Sequence, residues 1–190
     1  MIIHNFFFFV FLINVIILLG DYMELLDVYN SNGKITGKVV ERGSKDESFG
    51  PDEHIAVSII YIENSKGKFL IQKTSPEKGS IYSSTGGHID HGETPYETIV
   101  REVKEELGLD ISKENVISLG HICVDFPVRF IFYLKKDVNL DYLVLDKSEV
   151  ESVQFLTIEE LEKIIRDGKM HKGHSIVLEK VLEYKKKLGD

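Results

Sequence analysis

The segment Gly86–Asp110 carries five glutamates and two aspartates among twenty-five residues. Three of them, Glu102, Glu105 and Glu106, follow directly on Arg101. Carboxylates crowded in this way do one of two things. They face water along a solvated helix, or they offer oxygens to a hard divalent cation such as Mg2+ or Mn2+. The spacing separates two groups. Glu97, Arg101 and Glu105 stand at i, i+4 and i+8, so Arg101 is expected to bridge both glutamates along one ridge. Glu102 and Glu106 are also four apart, but they are like-charged and no lysine shares their ridge. Such a pair costs a few tenths of a kcal/mol on an exposed helix and more when partly buried. Ahead of them, Gly86-Gly87 allows a ligand or a metal to approach the backbone closely, and Gly92-Glu93 adds one more acidic loop position.

These residues need a helix to hold them. Thr94-Pro95-Tyr96-Glu97 has the form of a capping box, with proline at the first helical position. Gly108 supplies the left-handed residue that ends the helix after Leu107. At about 100° per residue, Tyr96, Ile99, Val100, Val103 and Leu107 gather on one apolar arc that faces a core. Glu102, Glu105 and Glu106 share a different arc.

From Gly87 the chain reads Gly, five residues, Glu93, seven residues, then Arg101-Glu102-Val103-Lys104-Glu105-Glu106-Leu107-Gly108-Leu109. This resembles the Nudix hydrolase signature, G-x5-E-x7-R-E-U-x-E-E-x-G-U with U aliphatic, and matches it at nine defined positions across twenty-three residues. A pattern of that length is specific where a lone glycine motif is not.

The resemblance implies an α/β (α+β) fold, the Nudix α/β/α sandwich with a mixed sheet. It also implies hydrolysis of a phosphoanhydride bond in a nucleoside diphosphate linked to another moiety, assisted by Mg2+ or Mn2+. On the family's pattern, Glu102 and Glu106 are metal ligands, Glu105 is a third, and the Gly87 carbonyl is a backbone ligand. Arg101 orients the carboxylates. The general base varies in the family; Glu102, Glu105 and Glu149, just ahead of the apolar run Val153 to Leu156, are the candidates, and an ordinary exposed strand-end charge is the other reading of Glu149. The resemblance implies a small diphosphate substrate, most simply nucleotide-derived.

The remaining elements suit that scaffold. Leu25 to Tyr29 and Ile35 to Val40 read as strands around a turn at Asn32-Gly33. Ile55 to Ile62 and Lys68 to Gln72 read as a second hairpin around Asn64-Ser65-Lys66-Gly67. Val116 to Val124 and Arg129 to Leu134 are strands separated by a break at Phe126-Pro127. Thr157 opens a helix to Asp167 with another Thr-x-x-Glu cap, and His174 to Leu188 is a final helix with a basic end. Residues 23–190 are expected to form one domain. Residues 1–22 are different: Ile2 to Leu19 is almost wholly apolar, and no Lys or Arg precedes Lys34. Leu19 to Met23 can be back-translated with AGGAG just ahead of ATG, like a bacterial ribosome-binding site. The leader is therefore read as a mis-assigned start, with a membrane anchor as the alternative; only the anchor would bring a membrane partner.

A net charge of −8 disfavours non-specific nucleic-acid binding. The single cysteine, Cys123, excludes an internal disulfide framework and reads as a small core residue. The composition suits a cytoplasmic enzyme. His171 and His174 read as surface or helix-start residues. His88 and His91 lie in the box loop within reach of a phosphate, and Tyr82 reads as a strand residue. Leu25 to Tyr29 with Gly37-Lys38 also resembles the N-terminal hairpin of Nudix proteins related to isopentenyl-diphosphate isomerase. That enzyme uses a cysteine where this chain has Ser83-Ser84-Thr85-Gly86-Gly87, which argues against isomerisation. A ligand-sensing Nudix module is the non-catalytic alternative, and the intact signature argues against it.

Overall fold

The computed structural model describes residues 24–44 and 48–189. The expected leader, residues 1–22, lies outside them. β1 (Leu25–Tyr29) and β2 (Ile35–Glu41) form the expected antiparallel hairpin. Its turn is held by the Asn30 side chain, whose Oδ1 accepts from the amides of Asn32 and Lys34 at 3.1 and 3.0 Å. Leu26, Val28 and Val40 are buried together, with Ile55 packed against them.

The main sheet is mixed, as expected. β3 (Ala56–Glu63) runs parallel to β8 (Val128–Lys135), and β8 pairs antiparallel with β7 (Ile117–Cys123). β4 (Phe69–Thr74) pairs antiparallel with β9 (Val150–Leu156) and with the short β5 (Tyr82–Ser83). β6 (Thr85–His88) pairs antiparallel with β3.

The second expected hairpin needs correction. Its turn forms, with the Asn64 amide donating to the Lys68 carbonyl at 2.9 Å. However, β3 and β4 share a single register pair, Glu63↔Phe69. Beyond the turn they part. Residues 82–88 enter the gap, pairing first with β4 through β5 and then with β3 through β6. The physical reason is burial on both faces: nearly every residue of β3, and the first four of β4, are buried. Each strand therefore takes its ladder partners where the layers above and below can cover it. The split is what brings Gly86-Gly87 into the middle of the sheet.

Alternation along β3 sorts the core into two layers. Ile60 and Ile62 pack with Ile99, Val103 and Leu107 of α1 (Pro95–Leu107). Ile59 and Tyr61 pack on the other face with Leu161 of α2 (Ile158–Arg166) and with Val177, Leu178 and Val181 of α3 (Lys172–Leu188). The result is the expected sandwich of helices about a mixed sheet. Both capping boxes form, Thr94 with Glu97 and Thr157 with Glu160, and Gly108 closes α1 with φ 66°. α3 starts two residues ahead of the expected His174, because His171 acts as its N-cap by accepting the Gly173 amide. Phe126-Pro127 is a break between β7 and β8, with a cis peptide bond. No described helix is long and apolar enough to cross a membrane.

One member of the α1 apolar arc is misplaced by periodicity. Tyr96 is 39% exposed. It lies in the first turn of α1, where its ring meets Phe132 edge to face, with centroids 6.5 Å apart, and its hydroxyl donates to the Ser112 carbonyl at 3.4 Å.

Candidate active site

The site begins with a close approach between strand and helix. β6 lies against α1, and the Glu102 carboxylate rests on the Gly87 Cα. A Cβ at position 87 would sit 2.1 Å from Glu102 Oε1 and 2.3 Å from its Cδ, so any larger residue there would push this carboxylate aside. Gly86 is required one residue earlier for a similar reason, since a Cβ there would lie 2.3 Å from the Ser58 carbonyl oxygen.

Arg101 is the hub. Its Nε and Nη2 donate to the two oxygens of Glu93, each at 2.9 Å. Nη1 donates to Glu102 Oε1 at 2.8 Å and to Glu105 Oε2 at 3.2 Å, and Nη2 also reaches the His88 carbonyl at 3.2 Å. The expected ridge is thus half formed. Glu105 is bridged, but Glu97 is not: its carboxylate turns back to the Thr94 amide at 2.9 Å to complete the capping box. Glu93 takes its place, because the loop passes alongside the helix. Burial pushes against ionisation of Glu93, yet the bonds from Arg101 and Thr98 outweigh it and hold the carboxyl below its ordinary range.

The three clustered glutamates differ in environment. Glu106 is buried and accepts from Gln72 Nε2 at 2.9 Å, while Gln72 Oε1 accepts from Thr85 Oγ1 at 3.2 Å. Burial pushes the Glu106 carboxyl up to about 8, opposed by the Gln72 bond and reinforced by the charges of Glu102 and Glu149. The Glu102 side chain is only 14% exposed; burial raises its carboxyl against the pull of Arg101. Glu105 faces solvent, its side chain 59% exposed. A solvated face therefore describes Glu105 but neither Glu102 nor Glu106. Glu149 lies just ahead of β9, paired with Lys78 and within electrostatic reach of Glu106.

Among the described residues, no three His, Cys, Asp or Glu side chains are gathered tightly enough to enclose an ion by themselves. The donor set is an open carboxylate face beside Gly87, all oxygen. That suits a hard cation that keeps waters and takes part of its coordination from substrate phosphates. A groove of about 700 Å³ runs along the neighbouring side of α1, between Tyr96, Val100, Lys104 and Ser112. It meets this face only at Arg101 and Glu105.

Other candidates fall elsewhere. His171 and His174 sit at the start of α3; His174 Nδ1 lies 2.8 Å from Ser84 Oγ, and burial drives its ring down to about 3. Cys123 is half-buried at the margin of the core rather than inside it, packed against the buried cluster of Tyr29, Ala56, Ile89 and Val128. Tyr82 is in β5. His88 is held neutral by burial, at about 4, and His91 pairs with Asp27. Two residues at the site escaped the sequence, Gln72 and Asp27. Asp27 had a signal, a polar side chain interrupting the apolar run Leu25-Leu26-Asp27-Val28, whereas Gln72 only ends the run Phe69-Leu70-Ile71.

The glycine-backed, arginine-ordered carboxylates on a mixed-sheet sandwich define a class, and the comparisons identify it. The NUDIX domain family model matches residues 52–181. A Nudix hydrolase of Listeria monocytogenes, itself uncharacterized, is 35% identical over 156 residues, covering 77% of this chain and 87% of that relative. The chain belongs to the Nudix hydrolase family. An isopentenyl-diphosphate Delta-isomerase of Corynebacterium diphtheriae is 30% identical over 113 residues, 57% of this chain and 59% of that enzyme. In fold, a Deinococcus radiodurans protein of known crystal structure superposes with a TM-score of 0.69 at 22% identity, covering 82% of this chain and 98% of its own.

Proposed function

We propose that this chain is a divalent-metal-dependent hydrolase of a phosphoanhydride bond in a nucleoside diphosphate linked to another moiety. The observation that carries the proposal is the pair Glu102 and Glu106, shielded from water and held by Arg101 and Gln72, with Glu102 seated against a glycine whose missing side chain leaves it that position. Ionising both carboxyls under cover is costly for the fold alone, as the upward shift of each shows, and a bound cation offsets that cost. Glu102 and Glu106, with Glu105 and the Gly87 carbonyl, would hold Mg2+ or Mn2+. When bound, the ion neutralises the diphosphate and lowers the pKa of a water.

The chain's own residues then do three things. Arg101 fixes the Glu102 carboxylate in one orientation while Glu93 fixes Arg101. Gln72 holds Glu106 from the sheet side. Glu105, which faces solvent, or Glu149, within electrostatic reach of Glu106, would accept a proton from an attacking water. Positioning and electrostatics supply most of the rate enhancement in phosphoryl transfer, and this arrangement provides both. We assign residues 23–190 to one domain, since β1 bridges the box loop at Leu26↔Asp90 and extends the matched segment rather than standing apart from it. The oxygen-rich site suits a small anionic substrate carried with its cation, handled in the cytoplasm.

The test is a substrate panel with Mg2+ or Mn2+: nucleoside triphosphates, nucleotide sugars, ADP-ribose, dinucleoside polyphosphates and isopentenyl diphosphate. Release of phosphate, diphosphate or a nucleoside monophosphate from at least one nucleotide is the expected result. Conversion of isopentenyl to dimethylallyl diphosphate would overturn it, and so would binding without turnover across the panel, the behaviour of a sensing module.

A further inference from the structure

The matched family segment begins at residue 52, so the β1–β2 hairpin lies ahead of it. The hairpin's own core is apolar: Leu26, Val28 and Val40 with Ile55. Asp27, between two of these residues, is only 5% exposed, yet both its polar contacts leave the hairpin. Its Oδ1 lies 2.9 Å from His91 Nδ1, and its Oδ2 accepts the Gly92 amide at 2.9 Å. The main chain of β1 adds to this grip. The His91 amide donates to the Leu25 carbonyl at 2.7 Å, and Leu26 bridges Asp90.

The clasped residues lead straight to the site. Glu93, next after Gly92, takes two bonds from Arg101 and one from Thr98 Oγ1 at 2.8 Å. Arg101 in turn holds Glu102. The loop is therefore gripped from both sides, by β1 on one and by α1 on the other. We infer that Asp27 is a positioning residue for the active site, clasping His91 and Gly92 so that Glu93 and Arg101 hold Glu102 in place. This rests on the reading of Glu102 as a metal-holding carboxylate.

A carboxylate suits the role because it has two acceptor oxygens for two adjacent donors, and a charged acceptor makes stronger bonds than a neutral one. Buried donors left without it would lose more than the bonds themselves. Partners behind a metal site carry about 10- to 100-fold in affinity or activity. Asp27 acts through one more link than such a partner, so the lower end of that range applies.

The test compares Asp27→Ala, Asp27→Asn and Val40→Ala with Glu102→Gln and the wild type. Three readouts are taken: amide hydrogen exchange at Gly92 and Glu93, Mn2+ affinity by electron paramagnetic resonance, and kcat and KM on the best substrate of the panel. Asp27→Ala is expected to lose protection at Gly92, to bind Mn2+ about 10-fold more weakly and to lower kcat about 10-fold, with KM changed by roughly twofold at most. Asp27→Asn keeps an acceptor for Gly92 and turns an amide donor to His91 Nδ1, so it should recover most of each loss. Val40→Ala weakens the hairpin core without touching the loop; it should lower Tm while leaving kcat and Mn2+ affinity at wild-type values. Protection at Gly92 retained in Asp27→Ala overturns the inference whatever the substrate. An Asp27→Ala protein that merely melts early, as Val40→Ala does, overturns it too. Wild-type Mn2+ affinity and turnover in Glu102→Gln would instead overturn the reading of the carboxylates on which it rests.

Discussion

α1 and α2 are built alike and do different things. Each opens with a Thr-x-x-Glu capping box, and each buries one apolar stripe against the sheet. Each also carries several glutamates. On α2, Glu159, Glu160 and Glu162 are all exposed. On α1, Glu102 and Glu106 are covered, one by Gly87 of the neighbouring strand and the other by Gln72. The acidity of the two helices is similar, so charge count does not make the site. What distinguishes α1 is a strand packed close beside it, with a glycine where a side chain would push the carboxylate away. A covered carboxyl must keep its proton or gain a positive partner; an exposed one is satisfied by water.

The largest expected effect tests that difference directly. Glu102→Gln keeps the shape and removes one charge, so turnover on the best panel substrate should fall by about 10²-fold or more, the scale of losing one preorganised electrostatic group. The stabilisation that Mg2+ gives the wild type in thermal melts should shrink as well, because a ligand stabilises only through its preference for the folded state. Glu162→Gln on α2 should leave turnover unchanged and shift stability by a few tenths of a kcal/mol, the worth of its i, i+4 pair with Arg166. Equal effects from the two variants would erase the contrast.

Burial also decides which ionisable groups make stability depend on pH. His174, at the start of α3, is driven down to about 3 by burial, with His171 and Arg129 adding to the shift. Its folded pKa lies below the ordinary 6.5, so the unfolded chain binds the extra proton first. Its contribution is complete above that ordinary value and is lost as pH falls towards the folded one. At about 1.4 kcal/mol per pH unit, the loss between pH 6.5 and 5 is on the order of 2 kcal/mol. Chemical denaturation at the two pH values should show it, and His174→Asn should flatten the response. Neutralising the exposed α2 glutamates should not.

The smallest effect concerns what the helices share. Thr94→Ala and Thr157→Ala each remove an N-cap and should each cost about 1 kcal/mol in equilibrium unfolding. Similar costs at both ends would place the difference between the helices outside their caps. A much larger cost at Thr94 would mean that the cap also carries the box loop.

Much of this protein was legible in its sequence because it depends on residues within a turn or two of each other. Caps, the left-handed end of α1, the Asn32-Gly33 turn and the apolar stripes follow from local sterics and periodicity, and the signature gives the spacing of Glu102 and Glu106. Tertiary structure decided the rest. Whether β3 and β4 zip together depends on which layers cover their faces. Arg101 reaches Glu93 rather than Glu97 because a loop eight residues earlier folds back beside it. Gln72 reaches Glu106 across 34 residues, and Asp27 reaches Gly92 across 65. Separations like these have no periodic trace along the chain. The carboxylates could be counted from the sequence, but which of them are shielded was settled only when Gly87 of β6 packed against Glu102 and Gln72 of the distant β4 reached Glu106.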